Sequence, residues 1–367
     1  MSEPLKNMFN RASVGALSRA IAEVYTAFDV EQFEKSVFDA LWEGRELKDR
    51  MRHITTCLHD ALPDNYRETL PVLRSAARSH HLDSYSFETM IFPDFVEVYG
   101  LFDWDVSIPA LEQFTQQCSA EFAARPFIVQ DQPRMMAQML IWARHENHHV
   151  RRLASEGCRP RLPWAMALPV FKRDPAPILP ILETLKHDES EYVRRSVANN
   201  LNDIAKDNPQ IVLDTLREWK KHDNTDMQRL ISHALRTLIK AGDTQALELL
   251  GYGNSQIEVR DFSVQPGEIV TGEVISFSCE IVSLGRDSQS LMIDYVIHFR
   301  RSNGNTSAKV FKLTKKSLKP GESLAIQKKH SFQPISTRRY YPGIHAIEIQ
   351  VNGSILARQE FTLKAAL

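Results

Sequence analysis

Four cysteines in 367 residues, Cys57, Cys118, Cys158 and Cys279, stand far apart and form no Cys-x-x-Cys pair. Their scarcity argues against a disulfide scaffold or a thiolate metal site and fits a reducing compartment. Long apolar runs are missing as well. The N-terminal MSEPLKNMFNRASVG has no signal-like core, and no later run reaches the length of a membrane span. A cytosolic protein without a membrane partner is therefore expected. Net charge is −1, so no global excess announces nucleic acid. Nor is there a nucleotide-binding glycine loop or a nucleophile elbow. HENHH at 145–149 has the wrong order for a zinc helix and reads as the turn between paired helices. Neither metal nor organic cofactor is expected.

What is present is periodicity. Residues from about 11 to 250 read as helices; FEKSVFDALW (33–42) and MRHITTCLHDAL (51–62) both carry apolar residues at three- and four-residue steps. Three later stretches resemble one another: HHVRRLASEG from His148, EYVRRSVANNLNDIAK from Glu191 and TDMQRLISHALRTLIKAG from Thr225. A proline precedes each, at 133, 175 and 209, spaced 42 and 34 residues apart, and the matching Arg152, Arg195 and Arg229 are 43 and 34 apart. Proline is tolerated at the start of a helix, where its missing N–H costs nothing. Two landmarks with the same periods predict helix-turn-helix repeats stacked as a HEAT-like solenoid. The first repeat exceeds the second by about nine residues, which fit an insertion at 157–165. Solenoid insertions gather on one face, often the binding face.

After Leu250 the pattern changes. GYGNSQ (251–256) reads as a hinge between a repeat domain, 1–250, and a strand-rich domain, 257–367. Alternating runs punctuated by Pro266-Gly267, Ser302-Asn303-Gly304-Asn305, Pro320-Gly321 and Asn352-Gly353 predict about seven strands, enough for an immunoglobulin-like sandwich. Its single Cys279 excludes an intersheet disulfide. This tail holds 15 basic and 10 acidic residues against 30 and 36 in the remainder, so it faces something anionic more readily than the rest does. Arg300, Arg301, Lys309, Lys312, Lys315, Lys316, Arg338 and Arg339 supply much of that excess. A lysine-decorated edge that blocks strand pairing would look the same.

Within the first repeat, Arg152 and Glu156 lie four apart on one helix face. Glu156 precedes Gly157, a natural terminator, and so stands at the negative pole of the helix. On spacing alone a surface ion pair is the plainer reading. In the next repeat Asn199 matches Glu156, and Asp203 lies one turn further along. Stacked repeats bring equivalent faces side by side, so convergence of Glu156 and Asp203 on one concavity is one reading, and a merely solvated Asp203 in SVANNLNDIAK is the other. Trp164, inside the insertion, reads equally as a plug over a core edge or as a ligand contact. Glu121, in CSAEFAARPF, is a third candidate carboxylate, with the Arg-Pro after it suggesting a helix end.

SAEFAARPF (119–127), VRRLASEGCRPRLPW (150–164) and VRRSVANNLNDIAKDNP (193–209), together with the strand-rich tail, resemble the AlkC family of bacterial DNA alkylation-repair glycosylases. The resemblance spans the whole chain. It implies a monofunctional enzyme that hydrolyses the N-glycosidic bond of cationic bases such as 3-methyladenine and 3-methylcytosine in double-stranded DNA. It further implies a monomer with no obligate protein partner. Carried over, the catalytic candidates are Glu156, Asp203, Trp164 and Glu121. Arg151, Arg152, Arg159, Arg161 and Arg195 are the expected phosphate contacts, and the basic tail an accessory DNA clamp. A non-catalytic repeat-and-sandwich scaffold, or a binder of damaged DNA without chemistry, fits the architecture equally well.

Overall fold

The computed structural model describes residues 4–83, 85–86, 88–221, 224–336 and 338–365, the side chain of Glu88 excepted. The chain divides into two compact units, Met1–Asn208 and Pro209–Leu367. The first is helical. It opens with α1 (Arg11–Val24), α2 (Val30–Val37), α3 (Leu47–Ala61), α4 (Tyr66–Ala76), α5 (Ile91–Tyr99) and α6 (Trp104–Phe114). It continues with α7 (Ala124–Gln130), α8 (Gln132–Trp142), α9 (His148–Gly157), α10 (Pro169–Arg173), α11 (Leu179–Leu185) and α12 (Glu191–Ile204). Local chemistry sets the ends. Asn10 caps α1 by accepting from the amides of Ala12 and Ser13, and Ser13 Oγ accepts from the Asn10 amide in return.

The helix expected over 33–42 stops at Val37, and Trp42 begins a 3-10 turn instead. Pro133 and Pro209 do sit at helix starts, but Pro175 does not open a helix. It lies in the turn before α11, where Pro180 takes the N-terminal position. Arg125-Pro126 belongs to the first turn of α7 and begins a helix, where a helix end was expected. Pro126 tolerates that place because first-turn amides have no intrahelical acceptor.

The repeat similarity has a physical basis in its first arginine. Arg151 Nη1 donates to the carbonyls of His145 and Glu146, and Arg194 Nη1 donates to those of Asp188 and Glu189. In both repeats the guanidinium reaches back five and six residues and ties down the turn that feeds its own helix.

The second unit begins with α13 (Pro209–Lys220), α14 (Thr225–Ala234), α15 (Arg236–Lys240) and α16 (Thr244–Leu249). Strands β1 (Ile257–Gln265), β2 (Glu268–Val270), β3 (Val274–Ser283) and β4 (Gln289–Arg300) follow, then β5 (Thr306–Leu318), β6 (Ser323–Ser331), β7 (Gly343–Val351) and β8 (Ser354–Lys364). Among the described residues eight strands stand where about seven were expected, because the three-residue β2 is too short to show a period. They form two sheets, ordered β1-β3-β6 and β2-β8-β7-β4-β5. Alternate residues of β3 (Ile275, Phe277, Cys279, Ile281) and β4 (Leu291, Ile293, Tyr295, Ile297, Phe299) share one buried core, the period-2 pattern of a sandwich. The 251–256 stretch is hydrogen-bonded into this unit. Asn352 Nδ2 donates to Gly253 O, and the amide of Leu284 donates to Gln256 O. Gly353 approaches Gly242 so closely that an added Cβ would lie 2.6 Å from the Gly242 oxygen.

Candidate active site

Helix α9 presents two faces. Val150, Leu153 and Ala154 are fully buried, while Arg152 and Glu156 stand on the other side. Asn147 caps the start by accepting from the His149 amide. Gly157 does not terminate α9 through a left-handed turn; it is the last helical residue. Its role is clearance, since a Cβ there would meet Met139 Cε at 3.0 Å and Ala124 Cβ at 3.5 Å. Helix α12 packs on α9 through Ser155 Oγ to Ser196 Oγ (2.7 Å) and Asn200 Nδ2 to Ser155 O (2.8 Å). The insertion leaves α9, buries Leu162 and Leu168, and closes with the Leu168 amide on Pro160 O.

The acids meet, and arginines hold them. Glu121 Oε2 accepts from Ser119 Oγ (2.5 Å) and Arg152 Nη1 (2.6 Å). Arg152 Nη2 lies 3.4 Å from Glu156 Oε1, which also accepts from Arg159 Nη1 at 2.6 Å. Ser196 Oγ donates to Glu156 Oε2 at 2.6 Å. Arg159 Nε donates onward to Asp203 Oδ2 at 2.8 Å, and Lys206 Nζ to Asp203 Oδ1 at 2.9 Å. Glu156, Arg159 and Asp203 are all buried. The result is an alternating row, Glu121–Arg152–Glu156–Arg159–Asp203–Lys206, in which every carboxylate carries charge-assisted hydrogen bonds. Arg152 and Glu156 thus form no surface pair.

A cavity of about 370 Å³ opens onto this row, within the roughly 300–1,000 Å³ range of small-molecule sites. Glu121, Arg152, Glu156, Arg159 and Trp164 line it, with Tyr85, Phe122 and Tyr192 among the aromatic walls. Asp203 is set back behind Arg159 and does not reach the wall, so it shapes the site from behind. Trp164 is 58 % exposed and is therefore no plug. Its backbone is left-handed (φ 63°), and Lys48 Nζ donates to its carbonyl at 3.0 Å. Tyr85, on the opposite stretch of chain, shares that unusual conformation (φ 64°), and such strain in non-glycine residues clusters at functional sites. Its ring lies 4.0 Å from that of His149, whose pKa burial lowers to about 4, leaving a neutral imidazole. Burial pushes the Cys118 and Cys158 thiols up to about 12, which removes a thiolate nucleophile from consideration.

Four of the five phosphate contacts expected in the repeats already hold carboxylates of the protein, Arg152 within the row above and three more. All five donors of Arg151 are used: Nε and Nη2 on Asp188, Nη2 also on Glu189, and Nη1 on the two carbonyls named above. Arg159 is the bridge between Glu156 and Asp203. Arg161 pairs with Asp207 at the protein surface, at 2.5 and 2.7 Å. Arg195 is exposed. In the second unit Arg301, Lys309, Lys312 and Arg339 are exposed, and Arg300 and Arg338 half-buried, with Arg338 stacked on Phe299 at 4.0 Å. Lys309 and Lys312 lie on β5, an outer strand of its sheet.

Sequence reasoning missed Tyr192, Tyr85 and Arg125. Tyr192 was within reach, because it occupies in EYVRR the place His149 has in HHVRR, and the two rings lie 5.7 Å apart. Tyr85 carries no comparable signal.

A helical-repeat body with a clamped acidic cavity, followed by an immunoglobulin-like sandwich, defines a class for which known relatives exist. The family described as "DNA alkylation repair enzyme" matches residues 115–238, and that described as "Uncharacterised protein YhaZ, C-terminal Ig-like domain" matches 258–365. The chain is 44% identical to the uncharacterised protein YhaZ of Bacillus subtilis over 97% of its length and 98% of the relative's. It is 39% identical, with a TM-score of 0.91, to the alkylpurine DNA glycosylase AlkC of Pseudomonas fluorescens, solved bound to DNA containing an abasic-site analogue; 99% of this chain and 100% of that one are covered. The chain belongs to the AlkC family of DNA alkylation-repair proteins.

Proposed function

We propose that the protein is a monofunctional DNA glycosylase that excises cationic N-methylated bases, 3-methyladenine and 3-methylcytosine, from double-stranded DNA. The supporting observation is the row of arginine-clamped carboxylates exposed to an aromatic-rimmed cavity. A base methylated at a ring nitrogen carries positive charge and departs without a general acid. That suits a site whose neighbouring imidazole is neutral. The C1′–N bond breaks with its electron pair going to the base, which leaves neutral, and positive charge develops on the sugar. Glu156 and Glu121, hydrogen-bonded to their guanidinium partners, stabilise that charge. Water then bonds to C1′, and Glu156 accepts its proton. Asp203 fixes Arg159 and through it Glu156. The repeat region to residue 250 carries the chemistry, and the basic sandwich, 257–367, adds DNA affinity.

The decisive experiment is detection of free base from methylated duplex DNA under single-turnover conditions. Binding without release would favour a damage-recognition protein, and neither binding nor release a scaffold. Trp164→Ala is expected to slow release by roughly 2- to 30-fold, the value of losing a cation–π contact of about 0.5–2 kcal/mol. Because the indole is largely exposed, unfolding free energy should move by only about 0.5 kcal/mol. A melting curve beside the release assay separates the two effects.

The corrected arginine assignment is checked by salt dependence. Arg195→Ala should reduce the slope of log affinity against log salt by about 0.9, the loss of one phosphate contact. Arg151→Ala should leave the slope unchanged while lowering stability.

A further inference from the structure

Arg125 has no part in the chemistry above, yet its side chain is fully buried. From the first turn of α7, Nε donates to Met166 O at 2.7 Å, and Nη1 donates to Gly157 O at 2.9 Å and Arg159 O at 2.8 Å. Nη2 has no hydrogen-bond partner, and no ion pair joins Arg125 to a carboxylate among the described residues. Burial draws its pKa down to about 10, so it remains a cation at neutral pH. A buried charge with no carboxylate in contact is costly, and here Glu121 and Asp203 act on it only from beyond ion-pair distance.

The three carbonyls show what it does. Gly157 O belongs to the C-terminal end of α9, where unsatisfied carbonyls concentrate partial negative charge, and Arg159 O lies two residues beyond it. Glu156 stands on that same pole, where a bare helix end would repel a carboxylate. Met166 O lies one residue past the 157–165 insertion. One planar fork therefore grips the loop at both ends. Between the grips stand Arg159, which holds Glu156 and Asp203, and Trp164.

We propose that Arg125 is a positioning residue that locks the 157–165 insertion and offsets the negative helix end beneath Glu156, thereby setting the rate of base release and leaving DNA affinity alone. Lysine cannot substitute, because a point charge on a flexible stem does not span three carbonyls as a rigid fork does. The kinetic part of this inference rests on the glycosylase reading; the hold on the loop does not.

Full-length Arg125→Lys and Arg125→Ala test it through single-turnover release, affinity for abasic-site DNA and amide hydrogen exchange. In Arg125→Lys, release should fall roughly 10- to 100-fold, the scale of an ångström-sized misplacement, with affinity within about threefold. Amides of the insertion should exchange at least about tenfold faster while those of α12 keep their rates. Guanidinium ion at tens of millimolar should restore Arg125→Ala activity where equal sodium chloride does not. Should Arg125→Ala fail to fold, Arg125→Lys carries the test alone. Release within twofold of wild type with unchanged exchange in Arg125→Lys overturns the proposal. So does a matched loss of affinity with faster exchange throughout the helices. If wild type releases no base, the glycosylase reading fails, and the exchange comparison still decides whether Arg125 holds the loop.

Discussion

Replacing Glu156 with glutamine should reduce single-turnover base release by about 10²–10³-fold, the usual consequence of removing one preorganised charge from a reacting centre. Glutamine keeps the shape and can still accept from Ser196, so the geometry of α12 against α9 is retained. Affinity for DNA carrying an abasic-site analogue should stay within a few-fold, because a carboxylate facing the sugar contributes to the transition state and repels phosphate. Arg152 and Arg159 then lose one counter-charge between them, and a modest fall in melting temperature accompanies the kinetic loss. Equal losses of binding and release, or full residual activity, would remove Glu156 from the reaction.

Arg159→Met should give the largest loss of stability. Methionine fills much of the volume but strands Glu156 and Asp203, both buried, without the guanidinium that bridges them at 2.6 and 2.8 Å. Removing one partner of a buried pair costs up to about 3–5 kcal/mol, and here Arg152 and Lys206 remain beside Glu156 and Asp203 to offset part of it. Urea unfolding measures this directly. The accompanying salt dependence of DNA binding should keep its slope, which a phosphate-contacting arginine would not permit. Adding Glu156→Gln to Arg159→Met should recover part of the lost stability, because one stranded charge is removed; a strictly additive double mutant would contradict the bridge.

Much of the frame was legible in the chain. Proline and arginine spacing revealed the repeats, the surplus of the first period located the insertion, and helix arithmetic brought Glu156 and Asp203 to the two sides of Arg159, though only Glu156 reaches the cavity. What sequence could not supply was the direction of long side chains. Arg159 follows a helix end and looks like a surface cation, but it folds back three residues onto Glu156. Arg151 is indistinguishable in sequence from Arg152; only the structure shows the first tying its turn and the second facing the cavity. Arg125 hid because burying an arginine runs against composition rules, and the carbonyls that receive it come from residues 32 to 41 positions away. Pro175 failed as a marker because proline serves a turn as readily as a helix start.

The left-handed backbone at Trp164 sets this protein against the logic of thermal screening. Glycine or asparagine at that position would relieve a conformational penalty of about 1–3 kcal/mol in exchange for the indole and its contacts. A library sorted for heat resistance alone would enrich for such replacements and discard the aromatic wall. Selection on lesion processing would pull the opposite way, so position 164 should be where sturdiest and most competent variants part company.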